Sequence, residues 1–232
     1  MTDTDTRTRF WSGEYEQLVE QTLDRAPVLG DLRRGVMPAG DPIALLRRHA
    51  AEVRTALDVK LPSRLRLCPS DAFAAKKFFW RLYAEEQGEF VAERNHANLF
   101  AALCQRVGIT SDELEAEYTT YREHFDYLLT EQPSDRVLVR ELTVCCVWES
   151  VILRLGNRYL SVLMEALTLT PEDLEYFTVH QQDDTHHSAA ALKVLQTYAT
   201  TEADLDIVRD AIERTLILEN PWTLEAPSSV VR

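Results

Sequence analysis

The sequence predicts an all-α protein, a bundle of seven helical segments. Three observations carry that expectation. Glycine is scarce, at seven in 232 residues. Long runs are rich in Leu, Ala, Glu and Arg, which are good helix formers. Strict alternation of polar and apolar residues, the mark of a half-buried strand, is hard to find.

The segments follow from periodicity and from residues that start or stop helices. The first covers about Gly13–Asp24 and the second about Pro42–Val59. A third reads as one long helix, about Ser70 to Val107. The fourth, Thr110–Leu129, opens at Ser111 with a capping box. The fifth is another long segment, Ser134–Leu167. The sixth begins with Thr170 as N-cap, Pro171 at the first helical position and acids in the first turn. No Gly or Pro interrupts it from Glu172 to Ala199. The seventh spans about Glu202–Leu218. A short flexible N-terminus and an irregular tail, 220–232, complete a single domain over 1–232. No internal repeat divides it.

Composition removes several classes of function. A formal net charge of −13 argues against nucleic acid, because phosphates require a basic stripe. No apolar run approaches the 18 residues of a membrane span, and MTDTDTRTRF has no apolar core of a secretory signal. Cys68, Cys104, Cys145 and Cys146 form no C-x-x-C pair; they read as buried, reduced thiols of a cytoplasmic protein.

The chemistry gathers near the C-terminal end, in VHQQDDTHHSAA at 179–190. His180, Asp184 and His187 are spaced by four and three. On a helix turning about 100° per residue they share one face, while His186 is turned away. Two further segments offer partners. In YAEEQGEFVAERNHANLF, Glu89 and His96 are seven apart, with Glu93 between them. In LTVCCVWESVILRLG, Glu149 stands alone in an apolar run, where a carboxylate is costly unless it is paired or bound to a metal. Three histidines and three carboxylates, with no thiolate, suit iron or manganese and could hold zinc. Two divalent ions against three carboxylates leave about one positive charge, which an anionic substrate group could balance. His49 and His124 sit in charged windows and read as surface residues.

The ordered pattern resembles the haem-oxygenase-like di-metal oxidases. It runs Glu-x6-His (Glu89, His96), then Glu149, then His-x3-Asp-x2-His (His180, Asp184, His187), over roughly residues 70–200. The resemblance implies a seven-helix haem-oxygenase-like bundle holding two irons, with O2 as co-substrate and an external reductant. Members of the family vary in the first carboxylate, so Glu86 and Glu93 stand as replacements for Glu89. Known members desaturate, cleave or N-oxygenate amino acids and fatty acids, often in natural-product biosynthesis. Haem itself is set aside, because no histidine precedes His49.

The expected function is therefore O2-dependent oxidation of a small amino acid, with Glu149 and Asp184 as metal-bound catalytic carboxylates. Arg154 and Arg158, which follow Glu149 on its own helix, are the candidates for the substrate carboxylate. A fatty acid is the alternative substrate. A ferritin-like bundle, a zinc hydrolase or a protein with a purely structural metal are the alternative classes. A homodimer is compatible with the resemblance, and a reductase or chemical donor would supply electrons.

Overall fold

The computed structural model describes residues 3–38, 41–218 and 220, with the side chains of 179 and 181–184 left aside. Among the described residues there is no strand. The helices are α1 (Asp3–Arg9), α2 (Tyr15–Arg25), α3 (Leu29–Arg33), α4 (Pro42–Thr55), α5 (Leu61–Leu67) and α6 (Phe73–Glu86). They continue with α7 (His96–Arg106), α8 (Ser111–Glu123), α9 (Tyr127–Thr130), α10 (Asp135–Leu167), α11 (Glu175–Tyr198) and α12 (Glu202–Glu213).

All seven expected segments are helical, but several are broken. The expected flexible N-terminus is helical over Asp3–Arg9. The second segment passes through a π-helical turn, Ala56–Lys60, into α5, whose first turn holds Pro62. A wider turn there accommodates the missing donor of the proline. The third segment is two helices, α6 and α7, separated by irregular backbone over 87–95. The capping box of α8 is made by Thr110 with Glu113, one position before Ser111. Helix α10 is kinked at Gly156, whose φ of 62° and ψ of −164° only glycine adopts without strain. The tail 221–232 lies outside the described residues.

Helices α10 and α11 pack most extensively on each other, and α12 and α3 close over α10. Helix α11 also meets α6 and α7. The core between them contains Phe10, Phe79, Phe100, Tyr159 and Phe177, all fully buried. Each such side chain contributes about 1.5–3 kcal/mol on burial. His49 belongs to this core rather than the surface. It stacks on Phe100, and its Nδ1 lies 3.2 Å from the Tyr159 hydroxyl. All four cysteines are free and buried, as expected.

Candidate metal centre

Helix α6 ends on two acids, Glu85 and Glu86. The chain then turns back on itself. Gly88 has φ of +64°, and a Cβ there would lie 2.4 Å from the Arg94 carbonyl carbon. Only glycine permits that approach. Asn95 caps α7 by accepting from the Asn98 amide, and its side-chain amide donates to Gln87 Oε1 at 2.7 Å. The fold-back sets His96, the first residue of α7, against Glu86, with Nδ1 2.7 Å from Oε2.

Glu149 enters from the middle of α10, and His180 and His187 from one face of α11. His180 Nδ1 meets the Tyr176 carbonyl at 2.9 Å, which directs Nε2 toward Glu86 Oε2 at 3.9 Å. The rings of His96 and His180 lie 4.3 Å apart. His187 Nδ1 lies 3.2 Å from Glu149 Oε2, and its Nε2 lies 2.8 Å from Glu85 Oε2. All three histidines are buried.

Two donor groups result: Glu86, His96 and His180, and Glu86, Glu149 and His187. Within each, the nearest donor atoms lie within 4.8 Å of one another. Glu86 belongs to both.

Electrostatics in the cluster are strained. Burial opposes ionisation of Glu86, but the hydrogen bond from His96 and the charges of the histidines hold its carboxyl down at about 2. Burial raises Glu149, the His187 hydrogen bond lowers it, and the charge of Glu86 raises it further, so the net shift is upward. His187 is desolvated, yet Glu149, Glu86 and Glu85 push it up to about 10. Burial brings His180 down to about 4 despite Glu86.

The residues of these groups fit a metal ion. Imidazole and carboxylate donors with no thiolate among them match iron. The Nδ1 of His187 is buried and lies 3.2 Å from Glu149 Oε2, a donor atom of the same group, so an ion held between them would displace the proton that the surrounding acids keep on the ring. The contact of its Nε2 with Glu85 is the outer carboxylate that commonly orients a ligating histidine. The Tyr176 carbonyl does the same for His180.

The sequence-derived candidates separate. His96, Glu149, His180 and His187 come together in this cluster. Glu89 does not. It is exposed in the turn after α6, at a positive φ of 52°, as a wall of the cavity outside. Glu93 is exposed as well. The expected seven-residue register assumed a helix that the Gly88 turn interrupts. Asp184 lies on α11, but its side chain is outside the described residues.

Arg154 faces away from the cluster. Its guanidinium bonds Glu16, with distances of 2.7 and 2.9 Å, and also Glu20, both on α2. Arg158 is exposed and packs beside Gly35. Neither lines the two cavities that flank the cluster. The larger, about 720 Å³, borders His96 and His187 and is rimmed by Arg81, Glu89, Glu93 and Arg94. The smaller, about 100 Å³, borders Glu86, Glu149 and His180 and is walled by Lys60, Arg64 and Trp148.

The sequence reading ranked Glu86 behind Glu89 and missed Glu85, Lys60 and Arg64. A signal for the last two was present: Lys60 and Arg64 lie four apart, on one helical face, in the leucine-rich stretch VKLPSRLRL.

Residues 47–220 match the model of a family described as iron-containing redox enzyme. That match spans most of the chain, and the protein belongs to this family. Its all-α fold is of the haem-oxygenase-like type. No curated protein matches the sequence. Among the described residues no helix is long and apolar enough to cross a membrane.

Proposed function

We propose that the protein is a non-haem di-iron oxidase that uses O2 to oxidise a small amino acid by desaturation, cleavage or N-oxygenation. The observation that carries this reading is the sharing of Glu86 by two donor groups. One ion would take Glu86, His96 and His180; the other Glu86, Glu149 and His187. Asp184, spaced four and three from His180 and His187, is the sixth proposed donor. A carboxylate common to both groups would hold two ions side by side, as joint action on one O2 molecule requires.

Iron bound there supplies the reduction of O2 and the bond activation, which no side chain in the cluster can perform. The chain's residues hold and orient. Tyr176 and Glu85 fix the ring orientation of His180 and His187. Glu149 can change its mode of contact as charge changes, because among the described residues its carboxylate meets His187 at 3.2 Å and the Cys145 thiol at 4.0 Å. Val151, Ile152 and Trp148 give the smaller cavity an apolar wall beside Glu149. Electrons for repeated turnover come from a reductase or a small-molecule donor.

The test is anaerobic Fe(II) titration, then O2 uptake with panels of amino acids and fatty acids. Two irons per chain and uptake accelerated by an amino acid are expected. Acceleration by fatty acids alone would replace the substrate class. Tight binding of a single ion, or activity with zinc and no O2, would overturn the oxidase.

A further inference from the structure

Arg64 is the feature of the site that the metal ligands do not explain. It is a guanidinium 5% exposed, inside a protein, in the wall of the smaller cavity. Its one hydrogen bond among the described residues runs from Nε to Glu141 Oε2, at 3.2 Å. The terminal Nη groups donate to no partner among the described residues. A guanidinium whose body is buried but whose donors are left to a cavity is placed to meet a ligand there, since charged donors gain more from a charged acceptor than from a neutral one.

The neighbouring charges are already committed. Lys60, equally buried, bonds both oxygens of Glu52 at 2.8 and 2.6 Å. Glu141 is divided between Arg64 and Arg140, whose Nε donates to it at 3.0 Å. The two Nη groups therefore form the open end of the network. Arg64 lines the same cavity as Glu86, Glu149 and His180.

We propose that Arg64 is the anchor for the substrate's carboxylate, taken by its two Nη groups as a fork, with the rest of the substrate directed at the Glu86–Glu149 side of the cluster. The planar guanidinium suits a carboxylate better than an ammonium does. At about 100 Å³ the cavity is well below the size that holds drug-sized ligands, roughly 300 Å³ and upward. It selects a short carboxylic acid, such as an amino acid of small or medium side chain, over a long-chain fatty acid. Trp148 and Ile152 supply an apolar wall for that side chain. This assignment rests on the oxidase reading for its orientation, and it takes the role that Arg154 and Arg158 do not fill.

The experiment measures equilibrium binding of L-amino acids, of their primary amides and of straight-chain carboxylates to anaerobic, Fe(II)-loaded wild type, Arg64→Leu and Arg64→Lys. Iron content and circular dichroism are measured on each. Wild type should prefer the acids to the amides, with affinity falling for long chains. Arg64→Leu should weaken acid binding at least about tenfold while iron per chain stays unchanged. Arg64→Lys keeps a cation beside Glu141 and loses the fork, so it decides the matter should the leucine variant fail to fold. Equal affinity for acids and amides in wild type, or undiminished acid binding in the folded variants, would overturn the anchor. Failure of wild type to take up two irons would instead overturn the oxidase. The same titrations on metal-free protein would then judge the arginine, by whether an Arg64-dependent preference for acids persists.

Discussion

Glu86 and Glu89 show how a three-residue difference redirects a site. Both acids were visible in YAEEQGEF, and helical spacing to His96 favoured Glu89. That spacing applies only to an unbroken helix. The chain reverses at Gly88, so the residue that faces His96 is ten positions away, and Glu89 points into open surroundings. The three histidines and Glu149 were legible because α10 and α11 keep the helical register on which their spacing was judged. Glu86→Ala removes the carboxylate common to both groups of described donors and should lower iron from the proposed two per chain to less than one. Glu89→Ala should leave the content at two. Metal analysis after anaerobic loading and desalting checks both, and loss of iron in the Glu89 variant would restore it as a ligand. Glu85→Gln keeps the shape but removes the charge beside His187 Nε2. An outer carboxylate of this kind accounts for about 10–100-fold in metal affinity. A competitive chelator titration should therefore find one of the two ions weakened by that factor and the other unchanged.

At the level of elements, the turn between α6 and α7 matters most, and a single glycine in an otherwise helical-looking run was its only clear warning. Periodicity alone cannot reveal such a break, since the residues on either side, Phe73–Glu86 and His96–Arg106, are both good helices. Gly88→Ala would put a methyl group into the Arg94 backbone and force φ of +64° on an L residue. The expected loss of stability is about 2 kcal/mol or more. Because His96 starts the next helix, affinity for the ion on the His96 and His180 side should fall too. Chemical denaturation and metal titration read these separately, and wild-type values in both would show that the turn tolerates a side chain. Arg154 teaches a related lesson. Its position on α10 could be read from sequence, but the rotation of α10 against α2 could not. Glu16 and Glu20, one helical turn apart, receive it. Glu16 is exposed, so solvent weakens that pair. Arg154→Leu should cost about 1–2 kcal/mol of stability and leave both iron content and substrate affinity at wild-type levels. A raised KM would return it to the substrate site.

For the whole molecule, the donor cluster ties together helices that are far apart in the chain. Glu86 ends α6, His96 opens α7, Glu149 lies within α10, and His180 and His187 lie on α11. The all-α class was legible because so little glycine and so much Leu, Ala, Glu and Arg leave no other economical way to bury a core. How the helices dock was not, since docking depends on breaks such as the π turn at Ala56–Lys60 and the kink at Gly156. The cluster brings the Glu86 and Glu149 carboxyls together with the imidazoles of His96, His180 and His187 in a buried site. Cations that bind the folded chain and not the unfolded one add stability as the logarithm of their concentration over Kd, about 2.7 kcal/mol at one hundred times Kd. For a chain of this size that corresponds to a rise in Tm of roughly 5–10 °C. Thermal unfolding of chelator-treated protein, with Fe(II) added back anaerobically, should show that rise. In the Glu86→Ala variant most of it should vanish, while Glu89→Ala should keep it. A Tm indifferent to metal in wild type would mean that the four helices hold their positions without the ions, and that the short contacts among the acids and histidines are a proton-balanced network rather than a metal site.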